Sequence, residues 1–302
     1  MRIGVDLGGT KIELIALDGS QVRKQCRIAT PAHDYRAIVE AIAQLVDRTE
    51  HELGTRCSIG VGMPGALSQK THAIKNANTQ VLNGQPLDRD LSSRLGREVR
   101  VQNDANCFAL SEAVDGAARD AHVVFGVILG TGTGGGIVVG KRCLIGCNAI
   151  AGEWGHNPLP WPGAHDDPQP ACYCGARGCL ETYLSGAGLQ RDHQQHTGHV
   201  LSAFEIGQQA QHDPGAAASI ERYCERLARG LASVINVLDP DAIVLGGGLS
   251  LLPQLYERVP RLLRGRVFSD AIETRLVPAL HGDSSGVRGA AWLWPEASLA
   301  GC

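Results

Sequence analysis

The sequence predicts an α/β protein in two lobes, and three observations point there. At 302 residues the chain is long for one hydrophobic core. Strand-like and helix-like patterns alternate along it, as they do in α/β folds. One pattern also occurs twice. An apolar strand, a Gly/Thr turn and a second apolar strand span Ile3–Leu17 (IGVDL, GGTK, IELIAL) and return at Val123–Val139 (VVFGVILGTGTGGGIVV). Such a recurrence suggests a duplicated lobe with one glycine turn in each half, the turns facing a cleft.

In the first copy, Ile12, Leu14 and Ile15 make the second arm a strand. This excludes the dinucleotide fingerprint, whose glycines lead from a strand into a helix, and no G-x4-GK[ST] is present. A turn without side-chain bulk can still offer backbone N–H groups to phosphate oxygens. A helix follows from about Asp34 to Leu53, with Ile38, Ile42, Leu45, Val46 and Leu53 on one stripe before Gly54. Ser58–Met63 is a short strand ending at Pro64-Gly65, and Lys75–Leu87 reads as an amide-rich loop. A helix from about Asp88 to Leu95 leads to the strand Val99–Val101. Next come Asn103-Asp104-Ala105-Asn106 and a helix through Val114. Asp104, at the junction, is placed either to face a cleft or to cap the helix, as Asp commonly does.

Past the second copy, a long helix from about Ala216 to Leu238 carries Ile220, Leu227, Leu231, Val234 and Leu238 and is closed by Asp239-Pro240. A buried strand at Ala242–Leu245 leads into Gly246-Gly247-Gly248 and another helix. His281 and Asp283 sit in a Gly/Ser loop that reads as a hydrogen-bonded network. A short helix then starts near Val287, and its Trp292 and Trp294 read as packing or dimer contacts rather than a ligand platform.

A net charge of -3 argues against a general nucleic-acid or membrane-surface binder, which needs a basic excess. The chain enters a strand pattern at Met1-Arg2-Ile3, and no apolar run is long enough to span a bilayer. A cytoplasmic protein is expected. Cys26, Cys57, Cys107, Cys143, Cys147, Cys224 and Cys302 show no pairing pattern and read as reduced thiols.

The remaining three cysteines are different. Cys172, Cys174 and Cys179 form C-x-C-x4-C, with Gly175 and Gly178 supplying the tight path of a metal knuckle, and His156 lies sixteen residues upstream. Together they make a Cys3His set, the closed coordination typical of structural Zn2+. Glu153 and Glu181 flank the set, so a metal clamp here would bring two carboxylates together.

These motifs resemble the ROK family (repressors, open reading frames, kinases). The resemblance rests on Asp6-Leu7-Gly8-Gly9-Thr10-Lys11, Gly62-Met63-Pro64-Gly65, Asn103–Asn106, Gly130–Gly136, Gly152–His156, the cysteine cluster with Glu181, and Gly246–Gly248. Any one glycine cluster is weak evidence, but their joint order covers essentially the whole chain. The resemblance implies a two-lobed actin-like, ribonuclease-H-like ATPase fold with a structural zinc site. It implies an N-terminal lobe over residues 1–117 and a C-terminal lobe over 118–286, with a helix at 287–302 packing back on the first. It further implies phosphorylation of a hexose at its C6 hydroxyl, with ATP, Mg2+ and a structural Zn2+, by a homodimer.

Asp104 would be the catalytic base, since phosphoryl transfer needs a group to receive the hydroxyl proton. Gly65, Asn103, Asp104, Glu153, His156 and Glu181 would hold the sugar. His156 would ligate zinc through one ring nitrogen and bond the sugar through the other. Asp6 would face Mg2+, with Gly8, Gly9, Thr10 and Lys11 around the phosphates. Thr131, Gly132 and Thr133 would form the second phosphate turn, and Gly246, Gly247 and Gly248 would lie against adenosine. The segment Glu153–Trp161 and the HGDSSGVRGAAW tail look most like the fructokinase branch, so fructose is the expected substrate. N-acetylglucosamine, glucose or mannose is the alternative. A sugar-sensing repressor of the same family would carry a helix-turn-helix ahead of the first turn, which here begins at Ile3.

Overall fold

The computed structural model describes residues 1–295. The end of the expected C-terminal helix (296–302), including Cys302, lies outside the described residues. In chain order the elements are β1 (Arg2–Leu7), β2 (Lys11–Asp18), β3 (Gln21–Ala29), α1 (Tyr35–Leu53), β4 (Ser58–Met63), β5 (Ala66–Leu67), β6 (Ile74–Lys75), α2 (Leu87–Leu95), β7 (Val99–Asn103) and α3 (Asp104–Val114). They continue with β8 (Val123–Leu129), β9 (Thr133–Val139), β10 (Arg142–Cys143), α4 (Leu180–Leu184), α5 (Gly186–Thr197), α6 (Ala203–Gln209), α7 (Pro214–Leu238), β11 (Ala242–Gly246), α8 (Pro253–Leu262), β12 (Arg275–Pro278) and α9 (Ser285–Trp292).

The chain forms two compact units. The first comprises Met1–Arg119, Gly136–Ala151 and the segment from Asp283; the second comprises Asp120–Gly135 and Gly152–Gly282. Each of the two recurrent strand–turn–strand patterns enters a five-stranded sheet. One has the order β3-β2-β1-β4-β7 and the other β10-β9-β8-β11-β12. In the first sheet β1, β2 and β3 form an antiparallel meander, while β4 and β7 run parallel to β1. In the second, β11 runs parallel to both β8 and β12.

In the first unit β1 and β4 read as apolar runs because both of their faces are covered. Ile3, Val5, Ile59 and Val61 have no exposed surface and pack with Ile38, Ile42 and Val46 of α1. Local chemistry bounds that helix at both ends. The Asp34 carboxylate accepts the Ala37 N–H at 3.1 Å, and Gly54 closes the helix at φ 63°, a left-handed cap that favours glycine. The tryptophans near the C-terminus are packing groups. Trp294 Nε1–H donates to Ile59 O at 2.7 Å, and the guanidiniums of Arg100 and Arg2 lie 3.8 and 4.5 Å over the rings of Trp294 and Trp292.

In the second unit α7 starts on Asp213, which accepts the Ala216 N–H, with Pro214 in the first turn. It buries Ile220, Tyr223, Leu227 and Leu231, and the Tyr223 hydroxyl donates to Leu184 O at 2.7 Å. No helix among the described residues is long and apolar enough to cross a membrane.

Candidate active site

In the first unit the turn after β1 is closed by Gly8 N–H donating to Lys11 O at 3.0 Å. The Thr30 hydroxyl donates to Gly8 O at 2.8 Å. Gly9, Thr10 and Lys11 are exposed. Asp6 stands at the end of β1 directly across from Glu13 on β2. Burial, then the negative charges of Asp104 and Glu13, push the Asp6 carboxyl up to about 6, with Lys11 acting in the opposite direction. Like charges placed opposite each other on paired strands repel. Asp6 therefore stands among like charges, with Lys11 the neighbouring cation. Sequence reasoning missed Glu13. Its signal was a lone acid inside the apolar run of β2, and the structure buries it against Arg27 (2.9 Å) and Gln25 (2.6 Å).

Both Asn103 and Asp104 accept N–H groups at the start of α3, Asp104 Oδ1 taking the Ala105 N–H at 2.8 Å. Asn103 is the cap of α3: its Oδ1 accepts from Ala105 N–H at 2.9 Å and Asn106 N–H at 3.2 Å. Asp104 is the first helical residue and is exposed. Asn103 Nδ2 donates to Gly65 O at 3.0 Å, which binds the end of β7 to the turn after β4. Gly65 is held at φ 78°, and a Cβ there would stand 2.4 Å from Lys75 O, so only glycine fits. Asn103 thus spends its acceptor and one N–H on structure, leaving its second amide N–H for a ligand.

In the second unit the glycine turn is held differently. Gly130 N–H donates to Gly132 O at 3.0 Å, and Thr133 N–H donates to Glu181 Oε2, also at 3.0 Å. A Cβ on Gly132 would come within 2.8 Å of that same Oε2. Thr131 is exposed. Thr133 is buried, and its hydroxyl has no partner, so the two threonines differ in access. Trp154 anchors the neighbouring segment through Nε1–H to Gly134 O (3.0 Å) and an edge contact on Phe125, which leaves Glu153 exposed beside it. Past β11, Gly246 is buried, whereas Gly247 and Gly248 are exposed and open a 3-10 turn.

His156, Cys172, Cys174 and Cys179 come together, with one ligand atom from each lying within 4.8 Å of all the others. A tetrahedral Zn2+ would separate two thiolate sulfurs by about 3.8 Å and a sulfur from an imidazole nitrogen by about 3.5 Å. The Cys174–Cys179 sulfurs are 3.7 Å apart, and Cys172 Sγ lies 3.6 Å from His156 Nδ1. The four residues therefore fit zinc in both chemistry and spacing. Burial, then hydrogen bonds with Cys174 and Cys172, push the Cys179 thiol up to about 12, a shift that metal ligation would reverse because the thiolate is the ligand.

With Nδ1 turned to the sulfurs, His156 Nε2 faces outward and meets the Tyr173 hydroxyl at 3.0 Å. Glu181 and Glu153 both lie close enough to Tyr173 for their charges to raise its hydroxyl pKa, although burial contributes more. Tyr173 had no signal in the sequence beyond its place between two cysteines. The only other route to it was that any residue at that position is carried into the cluster. Cys179 caps α4 and Glu181 follows two residues on, so the carboxylate that holds the second turn stands beside the cluster.

A family model described as "ROK family" matches residues 2–297. The chain is 42% identical over 303 residues to an N-acetyl-D-glucosamine kinase of Escherichia coli, covering 97% of this chain and 99% of the other. Among solved structures, a ROK hexokinase from Thermus thermophilus superposes with TM-score 0.85 at 33% identity and 96% coverage of both chains. A ROK family glucokinase from Streptomyces griseus, solved with glucose and AMPPNP, gives TM-score 0.76 at 29% identity, covering 97% of this chain and 98% of that one.

Proposed function

The chain belongs to the ROK family and is one of its sugar kinases, and we propose that the sugar it phosphorylates, with MgATP, is N-acetyl-D-glucosamine. The observation that carries this reading is the end-to-end identity to an N-acetyl-D-glucosamine kinase, higher than that to the hexokinase or the glucokinase. Fructose, expected from the Glu153–Trp161 segment, gains no support from these relatives. That segment carries the residues that the family resemblance gives to sugar binding, so it does not by itself separate one hexose from another. Discrimination among neutral hexoses lies in the shape of the surrounding loops.

In this reading Asp104, exposed at the start of α3, accepts the proton of the primary hydroxyl as the hydroxyl oxygen bonds to the terminal phosphorus of ATP and the bond from that phosphorus to the bridging oxygen breaks, releasing ADP. Asn103 positions that residue by capping its helix. Lys11 and the two glycine turns take the charge of the transferring phosphoryl group through an ammonium and backbone N–H groups. Asp6 would hold Mg2+, which supplies neutralisation of the phosphate oxygens when bound. Glu153, Glu181 and His156 Nε2 hold sugar hydroxyls, and Gly247 and Gly248 leave room for adenosine. The four cluster residues would hold Zn2+, a structural ion that fixes the orientation of His156.

Turnover of fructose, glucose, mannose and N-acetylglucosamine with MgATP tests the reading. The expected result is a kcat/KM for N-acetylglucosamine at least about tenfold above the others, the order one well-filled pocket contact gives. A preference for fructose would refute the proposed substrate and leave the kinase standing. No turnover of any sugar would refute both.

A further inference from the structure

A cavity of about 640 Å3 opens in the second unit, and no step above uses it. Its size falls in the range of small-molecule sites. Five arginines line it: Arg222, Arg226, Arg229, Arg264 and Arg266. Most are already engaged. Arg226 bridges Asp166 (2.8 Å) and Asp192 (2.7 Å), Arg222 pairs with Asp192 (2.7 Å), Arg229 with Asp166 (3.0 Å) and Arg266 with Glu225 (2.5 Å). Five guanidinium charges thus meet three carboxylates, an excess of two in a chain whose net charge is -3. Arg264, exposed at the rim, has no ion pair or side-chain hydrogen bond among the described residues. Arg229 is 7% exposed, and its Nε is buried without a partner, which is costly unless something repays it.

Trp161 lines the same cavity. Its side chain is 57% exposed, and its backbone is held at φ 47°, an outlier for a bulky residue. The Trp161 carbonyl is fixed by Arg229 Nη1 at 2.6 Å. Strained backbone that the surroundings hold in place clusters at ligand-binding positions. A flat, exposed indole that shares a cavity lining with these guanidiniums suits a sugar ring on the one and a phosphate dianion on the other.

We propose that this cavity is a second binding site, for a phosphorylated sugar, with its phosphate held by Arg264 and Arg229 and its ring resting on Trp161. A phosphate monoester carries nearly two negative charges at pH 7, matching the excess. The wall from Trp161 to Asp166 belongs to the segment joining His156 to Cys172, so a ligand here orders the segment that carries His156. Resting on the kinase reading, this makes the site a sensor of the enzyme's own class of product.

Calorimetric titration of the full chain at fixed ionic strength tests the site. The titrants are N-acetylglucosamine 6-phosphate, inorganic phosphate and neutral N-acetylglucosamine, with wild type, Arg264→Glu and Trp161→Gly compared. Both substitutions are at exposed positions, and thermal melts check that each variant folds. Arg264→Glu should weaken sugar-phosphate binding by about tenfold or more, the scale of one charge-assisted hydrogen bond. Trp161→Gly should bring the sugar phosphate down to the affinity of inorganic phosphate. Equal affinity in wild type and Arg264→Glu overturns the site. If wild type binds both phosphates alike and Trp161→Gly changes neither, the ligand is the free anion and the sugar assignment is overturned. Binding sensitive to Arg264→Glu in a chain that turns over no sugar would support this site while refuting the kinase reading.

Discussion

The two glycine turns share one strand–turn–strand pattern yet are held by opposite means. The first, Gly8–Thr10, is flanked by charge: Asp6 and Glu13 face each other across the paired strands, and Lys11 follows the turn. The second, Gly130–Thr133, carries no charged side chain in the turn and is fixed by a carboxylate brought from α4. One copy gathers acidic groups beside a buried carboxyl whose charged form they disfavour. The other is a scaffolded backbone held by a carboxylate that stands beside the cysteine cluster. A repeated backbone pattern therefore fixes where N–H groups lie but not what holds them there.

The sharpest way to break the first turn is Asp6→Asn. The folded carboxyl keeps its proton up to about pH 6, whereas the unfolded one releases it near 3.8. Stability without Mg2+ therefore falls as pH rises through that window, by about 3 kcal/mol in all. Asp6→Asn should flatten this pH dependence and raise the melting temperature at pH 7.5. It should also lower kcat by about a hundredfold or more through loss of the cation's ligand. Melting curves from pH 4 to 8, set beside the turnover of the same samples, check both. A variant that is less stable at pH 7.5 would mean that the charged form of Asp6 is not disfavoured in the fold.

The second turn should break through its cluster. Cys179→Ser should lower bound zinc from one ion per chain to well below that and cost several kcal/mol of stability, as loss of a structural zinc does. Metal analysis with hydrogen exchange should show faster exchange at Thr133, whose N–H rests on Glu181, and no change at Gly8. Equal loosening at both turns would deny that the cluster specifically backs the second.

A smaller effect is expected from Gly132→Ala, which places a methyl 2.8 Å from Glu181 Oε2 and pushes the carboxylate off the turn. KM for ATP should rise about tenfold, roughly the 1.4 kcal/mol carried by one hydrogen bond to a charged group. An unchanged KM would mean that this turn does not bind phosphate.

Much of this arrangement was legible from local pattern. Both strand–turn–strand units, α1 and α7 follow from periodicity and caps, and the cluster follows from cysteine spacing. What escaped depends on contacts between distant residues. β3 (QVRKQCRIA) was not expected because it is polar and half exposed, an edge strand held by pairing along β2 rather than by burial. α5 begins with glycines and ends with histidines, poor helix formers, and it forms because Ser185 caps it and Leu189 and His193 are buried. Glu13 and Tyr173 gain their meaning only through Asp6 and His156. The Asp166–Arg226–Asp192 network joins residues up to 60 positions apart, beyond the reach of any local motif.

The central claim, that this kinase uses the carboxylate at the head of α3 as its base, is tested most directly by Asp104→Asn. Single-turnover phosphoryl transfer to N-acetylglucosamine would be measured beside sugar affinity. The account predicts a rate lower by about a thousandfold, within the range of a lost general base, and sugar affinity changed by only a few fold. A variant that transfers phosphate at the wild-type rate would contradict it.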